Sequence, residues 1–171
     1  MPDLSDPHFA QSVIMLCAHS EEGAFGLKIS EALNLTVEEV CKESEITWEG
    51  DDVACALFGG PVQPNRGWMI HSASTMYPGS QEIGYGIALS ASMEALRAFG
   101  QAPDASFLLA MGYAGWGPGQ LEREISEGTW LTAPLFNELL FDTPIDKRWS
   151  TALGSIGVNA MHLVNAPTAP H

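Results

Sequence analysis

Read as a pattern of apolar and polar positions, the chain divides into short runs punctuated by glycine, proline and serine. Ser12-Val13-Ile14-Met15-Leu16-Cys17-Ala18 is a continuous apolar run, which predicts a strand buried on both faces. His19 to Gly23 turns the chain, and Ala24-Phe25-Gly26-Leu27-Lys28-Ile29 returns it as a hairpin. Thr36-Val37-Glu38-Glu39 has capping-box spacing, so a short helix is expected from there toward Ser44. Val53 to Phe58 predicts a second buried strand, ended by Gly59-Gly60-Pro61, and Gly67 to His71 predicts the next. Ser72 to Ser80 reads as a loop. Ile83 to Leu89 reads as a strand thinned by Gly84 and Gly86, a sign of a bulge or of close backbone approach. Ser90 is placed to cap a helix through Phe99, with Met93, Leu96 and Phe99 on one face.

Phe107 to Met111 is an apolar strand that runs into Gly112-Tyr113-Ala114-Gly115-Trp116-Gly117-Pro118-Gly119-Gln120. Four glycines in eight residues predict a corner between that strand and a helix. Gly117 or its neighbour serves as cap, Pro118 suits the first helical position and Gly128 lies past the end. Thr129 to Ala133 then predicts a strand, and Leu135 to Phe141 fits either strand or helix. Thr143-Pro144-Ile145-Asp146 opens a helix that runs through Trp149 to the region of Ser155. The lead-in Met1 to Gln11 and the tail Val158 to His171 lack periodicity and are expected to be peripheral. Six or so strands interleaved irregularly with three or four helices define an α+β class with a mixed, bent sheet. With no repeat and no linker, the 171 residues are expected to form one domain.

Charge narrows the functional classes. Seven Lys and Arg stand against 21 Asp and Glu, a net charge of −14, and the cations are scattered. Direct nucleic-acid binding leaves a basic stripe and draws affinity from neutralised phosphates, so it is not expected here. Cys17, Cys41 and Cys55 form neither a CxxC pair nor an even framework, and Cys17 and Cys55 read as buried small hydrophobes within apolar runs. The first residues have no signal-peptide pattern, and no apolar stretch approaches the ~20 residues of a membrane span. A cytoplasmic protein with no membrane contact is the expectation.

Candidate chemistry is sparse. The glycine-rich stretch resembles a phosphate cradle in outline, but it fits neither GxGxxG nor a P-loop, and Glu122 and Glu124 in the first helical turns would repel an anion. Tight packing around Tyr113 and Trp116 is the favoured account of its glycines. His19 with Glu21 and Glu22 lacks a partner at metal-ligand spacing, there is no GxSxG elbow, and Cys17 and Cys55 read as far from any cation that would lower a thiol pKa. No catalytic residue, metal or cofactor is therefore expected. The candidate ligand-binding set is Gly59, Gly60, Pro61, Arg66, His71, Tyr113, Gly115, Trp116, Gly119 and Gln120. It requires that His71, Tyr113 and Gln120 share one cleft.

In this order along the chain, several blocks resemble the YqgE/AlgH family of bacterial proteins. They are Asp6-Pro7-His8-Phe9, Ser12-Val13-Ile14, Leu16-Cys17-Ala18-His19, Gly23 to Leu27, Gly59-Gly60-Pro61-Val62, Gly67 to His71, Gly112 to Trp116, Gly119 to Glu122 and Trp130-Leu131. Lys28-Ile29-Ser30 and the ending Ala169-Pro170-His171 depart from the family's pattern. The resemblance implies a bent sheet closing into a pseudo-barrel and names no catalytic residue. Some members carry the label of transcriptional regulator, which the charge balance makes indirect for this chain. The leading expectation is a non-enzymatic regulatory or interaction protein acting through partner proteins. The alternative is a small-ligand or enzymatic pocket at the GGPV and GYAGW segments.

Overall fold

A computed structural model describes residues 11–161; the expected peripheral segments fall largely on 1–10 and 162–171, outside the described residues. Among the described residues, eight strands and five short helices form the frame. The strands are β1 (Ile14–Ser20), β2 (Gly23–Lys28), β3 (Ala32–Thr36), β4 (Cys55–Phe58), β5 (Val62–Ser72), β6 (Gln81–Gly84), β7 (Ile87–Ser90) and β8 (Phe107–Trp116). The helices are α1 (Val37–Glu43), α2 (Met93–Gly100), α3 (Gln120–Ser126), α4 (Asn137–Phe141) and α5 (Arg148–Ser155).

The sheet runs β1-β2-β8-β5-β7-β6, with β3 and β4 attached through β8. All pairings are antiparallel except β4 with β8. β8 is the spine. Its first half lies between β5 and β4, and its second half pairs with β2. The sheet bends almost into a barrel, as the resemblance implies for an α+β chain, with β1 and β6 as its two ends.

The apolar runs of β4, β5 and β8 are continuous because both faces of the sheet are covered. Leu57, Ile70 and Ala110 point into the barrel with Leu139, Leu140 and Ala152 of α4 and α5. Their neighbours Ala56, Met69 and Leu109 point outward under Val37 and Cys41 of α1 and Leu96 and Phe99 of α2. A third cluster, Ala114, Trp116 and Leu121 with Ile14, Ala24 and Trp130, seats α3 on the sheet. Arg148 is buried at the barrel end, where Nη1 donates to the Ile29 carbonyl (2.7 Å), Nη2 to Leu140 (2.7 Å) and Nε to Thr143 (3.2 Å). One guanidinium thus ties the ends of β2 and α4 to α5, and its burial lowers its pKa.

Local signals placed several elements. The capping box at Thr36 is complete, with the Glu39 amide donating to the Thr36 hydroxyl and the Thr36 amide to the Glu39 carboxylate. Other expectations are corrected. The glycine-rich stretch is not a corner: β8 continues through Gly112 to Trp116, and α3 starts only after Gly119. Gly112 has φ +74, and a Cβ there would sit 2.3 Å from the Gly60 carbonyl oxygen. A Cβ on Gly60 (φ +155) would lie 2.1 Å from the Tyr113 carbonyl carbon. These glycines let two backbones touch where β4 leaves β8, a tertiary contact that local patterning does not announce.

Further differences share that origin. β1 is an end strand with Leu16 exposed, so it is not buried on both faces. Cys55 is exposed and Cys17 half-buried, while Cys41 is the buried thiol. The segment read as one strand from Ile83 is a hairpin turning at Tyr85 and Gly86. Ser92 rather than Ser90 caps α2, because the Ser90 hydroxyl is taken by His71. Pro144 precedes a single 3₁₀ turn (Ile145–Lys147) before α5. Leu135 to Phe141 resolves as α4, preceded by a non-helical approach. Thr129 to Ala133 has strand-forming residues but no strand partner among the described residues.

Candidate functional site

An apolar slot of about 380 Å³ lies where the barrel stays open. Both sheet ends reach it, β1 through Ser12 to Leu16 and the β6–β7 hairpin through Ile83 and Tyr85. Leu121 and Ile125 of α3 wall one side, lying one helical turn apart on a single face. Trp149, Leu153 and Ile156 in and just beyond α5 close another, and the segment 130–135 runs along it. Several of these apolar side chains are open to solvent: Leu16 43%, Tyr85 71%, Ile125 36% and Leu131 47%. Large apolar residues grouped this way mark an interaction or ligand site more often than scattered ones do.

One carboxylate organises the wall. Glu124 Oε2 accepts from the indole Nε1 of Trp116 (2.9 Å) and of Trp130 (2.8 Å), and Oε1 accepts from Gln120 Nε2 (3.0 Å). Gln120 Oε1 in turn accepts from the Gly117 amide (3.0 Å). The two indoles meet edge to face at 5.9 Å. Burial by itself raises the Glu124 carboxyl, but the hydrogen bonds from Gln120, Trp130 and Trp116, with Arg123 nearby, outweigh it and leave the pKa lowered. Glu122 faces the other way. Its carboxylate accepts from its own amide and from His19 Nε2 (2.5 Å), both lowering its pKa. The two acids that sequence reading set against an anion are thus both engaged by donors.

The ten predicted residues do not share one cavity. Gly59 and Gly60 are buried in the backbone contact with Met111 to Tyr113. Pro61 and Arg66 are exposed along β5 and before it, with the Arg66 guanidinium stacked 4.3 Å over the Trp68 ring. Tyr113 packs on Phe25 and Trp68, each ring pair in van der Waals range, on the barrel side. His71 lies on the α2 side against Phe99. Its Nδ1 donates to the Ser72 carbonyl (2.8 Å), leaving Nε2 to accept from the Ser90 hydroxyl (2.7 Å), while the Ser80 hydroxyl donates to Ser90 Oγ (2.5 Å). This buried relay fastens the 73–80 loop to β7. Gly115 and Gly119 are exposed, and Gln120 serves the Glu124 clasp. His71, Tyr113 and Gln120 therefore sit in three separate clusters, and of the ten only Trp116 lines the slot.

Sequence reasoning missed Glu124, Leu16, Ile125, Tyr85 and Leu131. The available signals were the i,i+4 spacings of Gln120 with Glu124 and of Leu121 with Ile125. Nothing local joins α3 to β1 or to the β6–β7 hairpin. Among the described residues no three His, Cys, Asp or Glu side chains group closely enough to hold a metal ion. No helix there is long and apolar enough to cross a membrane.

Frame and slot define an α+β protein whose nearly closed, mostly antiparallel barrel is left open at one seam. The AlgH-like family model matches residues 1–161, and the chain belongs to that family. A UPF0301 protein of Shewanella woodyi is 39% identical over 170 residues, covering 96% of this chain and 91% of the relative. One from Xanthomonas campestris is 41% identical over 169 residues, covering 96% and 89%. The solution structure of the AlgH protein from Pseudomonas aeruginosa superposes with a TM-score of 0.80 at 38% identity, covering all of this chain and 91% of that one. A Corynebacterium diphtheriae protein at 22% identity shares the fold, with a TM-score of 0.72.

Proposed function

We propose that this chain is a non-enzymatic interaction protein that works by receiving an apolar part of a partner protein in the seam slot. One observation carries the reading: Leu16, Tyr85, Ile125 and Leu131 are exposed together around one apolar concavity. Burying an apolar side chain there releases roughly 25 cal/mol per Å² of surface removed from water, without any catalytic group. The charge balance fits the same reading, because an acidic protein without a basic stripe influences transcription through proteins rather than by holding DNA. Cytoplasmic residence is part of this proposal, since the three cysteines are unpaired.

A photo-crosslinking residue placed at Leu131 tests it against the same residue at Val53, which is exposed and does not line the slot. Protein adducts are expected from position 131 in cells and not from position 53. Equal adduct patterns from the two positions would remove the slot as the interaction surface.

A further inference from the structure

The turn that brings Tyr85 to the rim of the slot has a backbone that its first residue does not suit. β6 and β7 pair Gly84 with Ile87, so Tyr85 and Gly86 form a two-residue hairpin loop. Both have positive φ, +57 and +72, as a type I′ turn requires. That turn favours asparagine, aspartate or glycine first and glycine second. Gly86 conforms and Tyr85 does not. In the left-handed region a Cβ crowds the backbone, and a bulky residue there is an outlier. Among the described residues Gln11, Glu45 and Gln63 also have positive φ, but none carries a ring and none lines the slot.

The surroundings hold the loop in that shape. The Ala73 amide donates to the Gly86 carbonyl (2.8 Å), Ile87 is fully buried, and Ile83 packs against the barrel core. Strain persists where neighbouring structure over-determines a residue, and it collects at binding and switch sites. A well-packed side chain is the ordinary compensation for an unfavourable backbone. Tyr85 has little of it, since 71% of its surface is in water. Yet the residue lines the slot, together with Ile83 of its own hairpin. An unfavourable backbone, an exposed aromatic side chain and an apolar cavity thus meet at one residue.

We infer that Tyr85 is the gripping residue of the slot: its ring covers the apolar side chain that a partner protein inserts, and the turn keeps the ring exposed for that contact. The inference rests on the slot being the interaction surface and names the residue that decides how tightly that surface holds. Trp116 and Trp130 are fixed in the wall by Glu124, whereas Tyr85 offers an uncovered ring. Covering a guest removes that ring and the guest from water together, which compensates the turn. Tyrosine suits the task because it brings a large contact area with only two torsions to fix. Stability and grip are therefore opposed at this position. Asparagine, which the turn favours, relaxes the backbone and takes the ring away.

The test takes two measurements on the full chain. Thermal unfolding of Tyr85→Asn, followed by circular dichroism, is expected to give a Tm higher by roughly 2–6 °C, the relief of one left-handed residue in a chain of this size. The photo-crosslinking residue at position 131, which lines the slot, then reports the contact in cells. Its protein adducts are expected to fall about fivefold or more in the Tyr85→Asn background. They are expected to return in Tyr85→Phe, which keeps the ring and loses only the hydroxyl. A merely structural role for Tyr85 would instead lower Tm and adducts together.

Adducts at position 131 that Tyr85→Asn leaves unchanged overturn the grip and leave the slot reading standing. Adducts lost equally in Tyr85→Phe assign the effect to the hydroxyl and overturn the grip as well. A Tm that does not rise in Tyr85→Asn removes the strain on which the inference stands. If position 131 gives no more adducts than position 53 in the otherwise native chain, slot and grip fall together.

Discussion

Removing the Glu124 carboxylate tests whether the wall of the slot is built as described. In Glu124→Ala, two indole N–H groups and the Gln120 amide lose their acceptor at once. Trp116 is buried, so its orphaned donor costs about 1–3 kcal/mol, whereas the half-buried Trp130 and Gln120 recover water and together add about 1 kcal/mol. The sum is about 2–4 kcal/mol. For a protein of this size that corresponds to a fall in Tm of roughly 5–15 °C.

Glu124→Gln separates charge from shape. One amide oxygen can still accept from both indoles, but its NH2 then opposes the Gln120 NH2. Gln120 cannot turn over without presenting donors to the Gly117 amide. A loss of about 1–2 kcal/mol is expected at pH 7. The folded Glu124 has a lowered pKa, so its contribution is fully present above the unfolded value near ~4.3 and is lost as pH falls through the folded value. The gap between native and Gln variant should therefore be widest at neutral pH, begin to narrow near the unfolded pKa and close only as the pH falls through the lower folded value. Urea unfolding at pH 7 and at a series of acid pH values down through the folded pKa, followed by tryptophan fluorescence, measures both limits. A gap that stays constant with pH, or a Glu124→Ala loss below about 0.5 kcal/mol, would refute the clasp.

Arg148→Met removes a buried donor set from three carbonyls; even after relief of the guanidinium's own desolvation, a loss of about 2–4 kcal/mol is expected in the same urea assay. Gly60→Ala should prevent folding or cost more than about 4 kcal/mol, because its Cβ would overlap the Tyr113 backbone. Gly119→Ala, at φ +71 with no atom within 4 Å of its Cβ, should cost only about 1–2 kcal/mol of backbone strain, and circular dichroism melts of the pair separate the two mechanisms. A thiol reagent at pH 8 should label Cys55 quickly and leave Cys17 and Cys41 nearly untouched in the folded protein. Desolvation pushes Cys17 up to about 12, against a lowering hydrogen bond from the Leu27 backbone, and burial raises Cys41 as well.

The sequence by itself determined whatever depends on neighbours along the chain. The Thr36 capping box, the β1–β2 hairpin, the helix end at Gly128 and the apolar runs of β4, β5 and β8 are local signals, and their residues form what those signals specify. The ordered short blocks carried the family, because such blocks are a property of the chain and not of its folding.

Tertiary structure decided which strands became edges, why the glycines are there, and where a site could form. Gly112 reads as a corner until Gly60 is brought against it from some fifty residues away, when the missing Cβ atoms become a condition for two backbones to touch. Thr129 to Ala133 has the side chains of a strand, but a strand exists only through a ladder of hydrogen bonds to another, and among the described residues no strand pairs with it. The slot has the same cause. Its walls come from residues 12–16, 83–85, 121–135 and 149–156, and no periodicity within any one of them reports the space that the others enclose.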